Sequence, residues 1–522
     1  MSAIVTDQFR ILNATNFIES FENPNNSYYV FVGLPNPSVS GFGRDPNWNT
    51  LDIAPKDNIS NNYHASDTMM YGKRVTSSNV RRVIRRIDWV SGTRYEMYRS
   101  DYSLENPSPL TQSARLYDSN YYVMNSDYRV YICIDNGSSG ISTIGNASQD
   151  EPLFTDLEPS RAGESGDGYL WKYLFSVSPG DIVKFDSTEY ITVPNDWLTS
   201  SDAQIQAVRE NADSDVNNNQ IKKVYIDKTG SGYSSALNNK EVNIRGDGEG
   251  AKAVLTVTSG KITDAVVTSG GKGYTYAQVD LETPTVNAIS EYARLLPMIP
   301  PQKGHGFDIY EELGTDRIML YARFDDSDKD FPIDTRFAQV GILKNPTSIG
   351  STALYSGSQF SSTYAIKFSP GSMSVGVVPT IGEKISQSVS GGIAYGYVVS
   401  YDSETEVLKY IQDRSLYYNP TTYDQTDSVG ISTRSQVLPF EASSQPIGGS
   451  TSGFSASVDT NFIGVSTNPT GNKIINLGVY FNSGLAQPEI NKGSGQIIYL
   501  DNRPLITRNT RQKEDIKIIL EF

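Results

Sequence analysis

Short runs of aromatic and β-branched residues, each bounded by Gly, Pro, Asn or Asp, recur along the whole sequence and limit the folds open to it. The clearest run is residues 169–177, in which Tyr169, Trp171, Tyr173 and Phe175 stand at every second position. A period of two places these side chains on one face of a β-strand. Aromatic residues are 11% of the chain and are favoured in strands, so the sequence predicts a mainly β fold with a few short helices.

Further strands follow from the same pattern. Residues 28–32 predict an early strand, and residues 120–134 predict a hairpin with a three-residue turn. The chain closes with two apolar segments, residues 496–500 and 516–522, which also predict strands.

Three segments instead have the apolar spacing of a short helix: residues 7–21, 78–87 and 203–212. In the second of them, four arginines lie opposite the apolar positions: Arg81, Arg82, Arg85 and Arg86. An arginine face of this kind can bind phosphate, but it is more often solvated or paired with nearby carboxylates. We interpret these arginines in the second way.

Composition argues against several classes of function. A net charge of −15 and a pI near 4.8 do not fit the basic face that general nucleic-acid binding needs. The single cysteine, Cys133, cannot form an intramolecular disulfide or a cysteine-rich zinc site, and we expect it to be an inert core residue. The two histidines, His64 and His305, lie far apart in the sequence, which argues against a metal site or an acid–base site built from imidazole groups. We expect no cofactor.

Signals for export or membrane insertion are not found in the sequence. The N-terminal segment has no basic region followed by an apolar stretch, and no apolar run approaches the ~18 residues of a membrane span. We therefore expect a chain that is made and used in a soluble, reducing compartment, with no membrane partner.

One glycine-rich segment has the form of a cofactor motif but the wrong context. Residues 246–251, Gly-Asp-Gly-Glu-Gly-Ala, match the glycine pattern of dinucleotide sites. Alternating β-branched residues follow where a helix N-terminus is needed, and Asp247 and Glu249 would repel a pyrophosphate. We interpret the segment as a tight β-turn.

Two acidic runs resemble the front of a calcium-binding loop. One contains Asp213 and Asp215, and the other contains Asp326, Asp328 and Asp330. Each lacks the glycine and the bidentate glutamate that such a loop requires. Turns with Asp and Asn at their usual places explain both runs, and adventitious binding of a divalent ion is the alternative.

His305 is the one histidine with a carboxylate, Asp308, and glycines close by in the sequence. A catalytic base needs a nucleophile or a metal partner, and the sequence names neither. We therefore predict a loop histidine held by hydrogen bonds.

Three parts of the chain carry a resemblance to a known family. They are residues 164–175 (Glu-Ser-Gly-Asp-Gly-Tyr-Leu-Trp-Lys-Tyr-Leu-Phe), residues 336–346 (Arg-Phe-Ala-Gln-Val-Gly-Ile-Leu-Lys-Asn-Pro) and the closing segments 495–504 and 514–522. In their order and C-terminal placement they resemble the baseplate wedge subunit of T4-like contractile-tailed phages. Members of that family build this peripheral wedge protein as a β-rich homodimer.

The resemblance implies a structural role without catalysis, in the virion tail baseplate, with assembly in the host cytoplasm. The partners it implies are a second copy of the chain and other wedge proteins, from the inner subunits to the outer subunit that carries the short tail fibres. Large permanent interfaces use Tyr, Trp and Arg as anchors. The contact candidates are Trp171, Tyr173, Arg81, Arg82, Arg85 and Arg503.

The resemblance also divides the chain. It covers about residues 1–228, 284–348 and 491–522, for which we expect a β-sandwich-like core. The remaining stretches, residues 229–283 and 349–490, differ in composition and predict two inserted small β-modules.

The first predicted insertion contains a short repeat. The tetrapeptides Gly-Ser-Gly-Tyr at 230–233 and Gly-Lys-Gly-Tyr at 271–274 lie about 41 residues apart. Two copies indicate an internally symmetric module, because a solenoid needs three or more repeats. The second insertion is rich in Ser, Gly and Thr, and its residues 382–411 predict three short strands.

Two other functions are alternatives from the sequence alone. A carbohydrate- or host-surface-binding tail protein would place exposed Tyr and Trp in a shallow groove on an insertion. A virion glycan hydrolase would place two carboxylates ~5–9.5 Å apart in a cleft. The structural role instead predicts aromatic side chains that are buried.

Overall fold

The structure is a computed structural model that describes residues 5–34, 59–281, 289–325, 335–412, 437–469, 473–507 and 513–522. The acidic run of Asp326, Asp328 and Asp330 lies outside these residues.

The described helices are few and short, as expected. They are α1 (Asp7–Glu22), α2 (Ile59–Thr68), α3 (Pro179–Phe185), α4 (Ala203–Ala212) and α5 (Ile309–Leu313). The helices predicted at residues 7–21 and 203–212 are confirmed as α1 and α4. A bilayer-spanning helix, long and apolar throughout, does not occur in the described part of the chain.

Strands supply most of the regular structure, which confirms the prediction of a mainly β fold. The strands are β1 (Tyr28–Gly33), β2 (Met69–Val75), β3 (Val80–Arg85), β4 (Tyr122–Met124), β5 (Arg129–Asn136), β6 (Tyr169–Ser176), β7 (Tyr190–Val193), β8 (Val224–Lys228), β9 (Lys240–Gly246), β10 (Glu249–Thr258), β11 (Lys261–Lys272), β12 (Ala277–Val279), β13 (Arg294–Pro297), β14 (Arg317–Phe324), β15 (Arg336–Lys344), β16 (Gln359–Ser361), β17 (Tyr364–Lys367), β18 (Lys384–Val389), β19 (Gly392–Asp402), β20 (Val407–Ile411), β21 (Ile447–Gly449), β22 (Ser455–Ala456), β23 (Gly464–Thr467), β24 (Ile475–Asn482), β25 (Leu485–Ala486), β26 (Gln496–Thr507) and β27 (Glu514–Glu521).

The helix predicted over residues 78–87 is wrong, because this segment contains strand β3. The strand pairs antiparallel with β7 and places Ile84 opposite Ile191. Val83 and Ile84 are consecutive and both buried, so both faces of the strand are covered. Apolar residues therefore do not alternate along this strand, and their spacing resembles that of the apolar face of a helix.

The chain divides into two compact units. The first consists of Met1–Ile18, Arg81–Met319 and Ile519–Phe522, and the second of Glu19–Val80 and Leu320–Ile518. The boundaries of the two insertions and the sandwich-like packing of the core remain predictions.

The main core of the first unit surrounds the three-stranded sheet β4-β5-β6. The predicted hairpin is confirmed as β4 and β5, and Asn125 Oδ1 closes its turn by accepting the N–H groups of Asp127 and Arg129. The aromatic side chains of β6 are each at most 2% exposed: Tyr169, Trp171, Tyr173 and Phe175.

The residues around the repeated tetrapeptides form a second hydrophobic core in the first unit. The sheet β11-β10-β9-β12 and the strand pair β13-β8 both contribute side chains to it. The β-turn predicted at residues 246–251 is confirmed, since β9 ends at Gly246 and β10 begins at Glu249.

The second unit contains a five-stranded sheet in the order β16-β2-β1-β15-β26. Phenylalanine and glycine alternate in one row across it, with Phe360 opposite Gly72, Gly72 opposite Phe31, and Phe31 opposite Gly341. Each aromatic ring occupies the space above a neighbouring glycine.

The same unit contains a nine-stranded sheet in the order β22-β21-β18-β19-β20-β17-β25-β24-β23. The three strands predicted within residues 382–411 are confirmed as β18, β19 and β20. Aromatic residues fill the core beside this sheet: Phe368, Tyr410, Phe440 and Phe454.

Candidate functional site

Two of the predicted contact residues lie on β6 and are buried. Trp171 is stacked on Tyr169 with the ring centroids 5.2 Å apart, and it meets Tyr95 edge-on at 5.9 Å. Tyr173 meets Tyr131 edge-on at 5.7 Å. Neither Trp171 nor Tyr173 is more than 2% exposed, so both stabilise the core of the first unit and neither is at its surface.

The arginines of residues 81–86 lie on or next to β3 rather than on a helix face. Arg81 Nε donates to Asp181 Oδ1 at 2.8 Å. Arg86 Nη1 donates to Asp186 Oδ1 at 3.0 Å. Both carboxylates belong to or adjoin the short helix α3, so the interpretation of these two arginines as partners of nearby carboxylates is confirmed.

Arg82 and Arg85 point their guanidinium groups into the first unit. Arg82 is 2% exposed, donates from Nη2 to Thr15 Oγ1 at 3.0 Å and lies 4.0 Å from the centroid of the Tyr310 ring. Arg85 donates from Nη2 to the carbonyl oxygen of Ser119 at 3.0 Å. Arg82 is therefore not on a solvated face, which corrects that part of the interpretation, and both side chains connect distant parts of the chain within the unit.

Arg503 on β26 is the predicted contact residue whose side chain is mostly exposed, at 58%. Its Nη2 pairs with Asp501 Oδ2 at 2.6 Å. An exposed ion pair of this kind contributes little to stability, so the guanidinium group can exchange this partner for another at low cost.

His305 lies in a turn and takes part in a buried polar cluster. Its Nδ1 lies 2.6 Å from Glu312 Oε1, and Glu312 Oε2 accepts the N–H of Gly306 at 2.7 Å. The imidazole meets the Tyr98 ring edge-on at 4.7 Å. The prediction of a hydrogen-bonded loop histidine is therefore confirmed.

Lys172 is a further charged residue that is buried in this region. It is 3% exposed, and its Nζ donates to Asn211 Oδ1 at 3.1 Å and to the carbonyl oxygen of Leu157. Burial lowers the pKa of Lys172 to about 8, although the charges of Glu158 and Glu312 act in the opposite direction.

Glu158 closes a polar cleft next to Lys172 and His305. Its carboxylate accepts hydrogen bonds from Lys222 Nζ at 2.8 Å, Asn211 Nδ2 at 2.9 Å and Asn217 Nδ2 at 2.5 Å. Burial on its own raises the pKa of Glu158, but the hydrogen bonds from Lys222 and Asn211 and the charges of Lys222 and Lys172 outweigh burial, and the pKa is lowered.

The cluster is organised to hold segments of the first unit together. A histidine oriented by a carboxylate can act as a base, but the contacts of His305 hold its own turn in place: Glu312 binds both the imidazole and the N–H of Gly306, and the Tyr98 ring packs against the imidazole edge-on. Lys172 and Glu312 were missed in the sequence. The single available signal was a lysine inside the apolar segment of residues 169–175.

The remaining motif-like segments serve as turns. Asp213 follows α4, pairs with Lys303 at 3.0 Å and accepts a hydrogen bond from Asn218. Asp247 accepts hydrogen bonds from the Thr275 hydroxyl and from the N–H groups of Tyr276 and Thr275, and these hydrogen bonds lower its pKa to about 2. Within the described ranges, no group of three His, Cys, Asp or Glu side chains is placed to hold a metal ion.

The single cysteine, Cys133, is buried in β5 opposite Trp171. Burial raises the pKa of its thiol well above the usual range. The thiol therefore stays protonated and unreactive, as predicted for a core residue.

Comparison with known proteins gives one partial likeness. No model of a protein family matches the sequence. The chain is similar to the baseplate wedge protein gp8 of Enterobacteria phage T4, with 27% identity over 220 residues. The match covers 37% of this chain and 60% of that protein, which is less than two thirds of the relative's length. This similarity supports the conclusion that the chain is a baseplate-related phage protein.

Proposed function

We propose that the chain is a structural component of a phage tail baseplate wedge and bridges inner and outer wedge proteins during baseplate assembly. The observation that carries this proposal is the similarity to the baseplate wedge protein of phage T4. The resemblance at residues 164–175 and at the C-terminus supports it from within the sequence. In this proposal the chain acts as a homodimer in the virion and catalyses no reaction.

The arrangement of side chains supports a scaffold. The aromatic residues of β6 fill the core of the first unit, and those beside the nine-stranded sheet fill the core of the second. Buried charged groups of the first unit are bound within the chain, as Arg82, Lys172 and Glu312 show. Such networks keep a subunit rigid when neighbouring subunits load it.

Electron microscopy of infected-cell lysates tests the proposal. A phage that does not produce this chain should give free heads without complete baseplates or attached tails. Supplying the wild-type chain from a plasmid should restore tailed particles, which is the control for effects on other genes. Complete contractile particles that fail to attach to cells would contradict the proposal and favour the host-surface-binding alternative.

We propose Arg503 as a wedge contact, because its guanidinium group is accessible and its ion pair with Asp501 is exposed. In the plasmid assay, Arg503→Glu should lower the yield of tailed particles at least tenfold. Arg503→Lys keeps the charge and should retain part of the yield, while a normal yield for Arg503→Glu would remove this residue from the contacts.

A further inference from the structure

The two tetrapeptides of the first unit have the same backbone conformation. The angle φ is +61° at Gly230 and +60° at Gly271, and it is +88° at Gly232 and +75° at Gly273. Residues with a side chain rarely adopt these angles, so both turns depend on glycine. The likeness therefore extends from sequence to conformation.

The tyrosine that ends each tetrapeptide is held in the same way. Tyr233 Oη accepts the N–H of Ala293 at 2.7 Å, and Tyr274 Oη accepts the N–H of Ala251 at 3.1 Å. Each tyrosine is buried, at 6% and 1% exposure. The alanines lie 42 residues apart, close to the spacing of the tyrosines.

The first glycine of each tetrapeptide lies directly below its tyrosine. A Cβ at Gly230 would lie 2.7 Å from the Tyr233 ring and 2.5 Å from the nitrogen of Ala293. A Cβ at Gly271 would lie 2.8 Å from the Tyr274 ring and 2.5 Å from the nitrogen of Ala251. Both turns thus pack against equivalent atoms, namely the ring of the tyrosine and the nitrogen of the alanine.

The strands beside the two tetrapeptides pair in the same register. In β8 and β13, Ile226 is opposite Leu295. In β11 and β10, Val267 is opposite Ala253. The first pair has its irregularity between Arg294 and Leu295, and the second has one at the equivalent place, between Lys252 and Ala253. A shared bulge position indicates more than two similar turns, because bulges are specific features of a strand pair.

The segment around the first tetrapeptide and the segment around the second, called the two halves here, make equivalent hydrogen bonds to each other. Tyr233 N–H donates to the carbonyl of Gly260 at 3.0 Å, and Tyr274 N–H donates to the carbonyl of Asn219 at 3.2 Å. These acceptors are 41 residues apart, like the donors. A set of contacts that maps onto itself when the halves are exchanged defines a pseudo-two-fold axis.

A second pair of hydrogen bonds repeats this exchange. Ile262 N–H donates to the carbonyl of Thr229 at 3.0 Å, and Ile221 N–H donates to the carbonyl of Gly270 at 3.0 Å. Each bond again joins one half to the other, and the spacing is again 41 residues.

We propose that residues 218–258 and residues 259–297, named here copy A and copy B, are tandem copies of one strand–Gly-x-Gly-Tyr–strand unit that fold as a reciprocal pair. Each copy supplies the turn carbonyl and the alanine N–H that hold the tyrosine of the other. Neither copy has a complete core alone, because the apolar side chains of both form one cluster. This inference is independent of the baseplate proposal.

The copies differ where copy A meets the rest of the first unit. Tyr225 of copy A is covered by the guanidinium group of Arg99, 3.8 Å from its ring centroid. The equivalent residue of copy B is Val266, which is 54% exposed. Divergence at this position follows from the different surroundings of two otherwise equivalent strands.

Hydrogen–deuterium exchange on the full chain tests the proposal. Tyr233→Ala and Tyr274→Ala should each accelerate amide exchange in both copies, at least tenfold in β9, β10 and β11. The matched controls are Tyr276→Ala and Tyr292→Ala, because these tyrosines lie in the same module but are 65% and 75% exposed. Faster exchange confined to the copy that carries the substitution would overturn the proposal.

Milder variants keep the test decisive if the alanine variants fail to fold. Tyr233→Phe should accelerate exchange of the Ala293 amide in copy B about fivefold, the effect of losing one hydrogen bond. Tyr274→Phe should do the same for the Ala251 amide in copy A. Unchanged exchange at both alanines would show that the tyrosines do not connect the copies.

Discussion

Charged side chains lie in the interior of both units, and three of them show how contacts with neighbouring segments hold such a side chain in place. Arg82 and Lys172 belong to the first unit. Glu383 belongs to the second, where its carboxylate accepts the N–H groups of Thr380, Thr451 and Ser452. Because a buried charge is costly without partners, such residues fix one arrangement of the segments around them.

Arg82 should contribute much more to stability than its neighbour Arg81. Arg82→Ala removes a buried guanidinium group that contacts Tyr310 and Thr15, and we expect a loss of about 2–3 kcal/mol in the free energy of unfolding. Arg81→Ala breaks a partly exposed ion pair and should cost less than about 1 kcal/mol. Chemical denaturation followed by fluorescence measures both, and equal losses would contradict the assignment.

Lys172 should make stability depend on pH. Its pKa is about 8 in the folded chain and 10.5 in the unfolded chain, so between these values the unfolded chain holds a proton that the folded chain has released. Rising pH therefore favours the folded state, by about 2 kcal/mol from pH 7.5 to 9.5 relative to Lys172→Met.

The pH series has a control on the same strand. Leu174→Met changes a buried residue of β6 that does not titrate, so its difference from the wild type should stay constant with pH. A constant difference for Lys172→Met as well would show that Lys172 keeps an ordinary pKa in the folded chain.

At the scale of elements, α1 shows that apolar spacing can predict a helix without predicting which of its faces is buried. The apolar positions of residues 7–21 include Phe9 and Leu12, but these are 53% and 52% exposed. The buried positions are Ile11, Ala14 and Ile18. The helix carries apolar residues on two sides, and only its neighbours in the fold decide which side is covered.

Two adjacent residues of α1 test this assignment. Ile11→Ala removes a side chain from the core of the first unit and should cost about 2 kcal/mol or more. Leu12→Ala alters a half-exposed side chain and should change stability by no more than about 0.5 kcal/mol. Thermal unfolding of both variants distinguishes the faces, and a larger effect at Leu12 would reverse the assignment.

The row of phenylalanine and glycine in the five-stranded sheet makes a second prediction. A Cβ at Gly341 would overlap the Phe31 ring and lie 2.7 Å from the carbonyl oxygen of Tyr499. Gly341→Ala should therefore destabilise the second unit by about 1–3 kcal/mol through overpacking. Gly448→Ala is the control, because a Cβ there meets only an ordinary contact at 3.5 Å. Equal melting temperatures for the two variants would contradict this role for the row.

At the scale of the whole molecule, the baseplate role proposed above requires protein partners. The net charge of −15 does not suit nucleic-acid binding.

The proposed homodimer gives a prediction at this scale. The chain has a mass of 57.5 kDa, so sedimentation analysis at micromolar concentration should show one species of twice that mass. Since subunits of a permanent assembly associate tightly, dilution to nanomolar concentration should not dissociate it. A single species of 57.5 kDa at micromolar concentration would contradict the homodimer.

The sequence by itself determined the mainly β class, the helices α1 and α4, the β4–β5 hairpin and the turn before β10. These features depend on neighbours in the chain, through alternation, helical spacing and residues that favour turns. The tertiary structure alone decided that residues 80–85 form a strand, which face of α1 is buried, and that Lys172 and Glu312 lie in the interior. It also decided the contacts of Phe31 with Gly341, because these depend on residues hundreds of positions apart that meet only when the chain is folded.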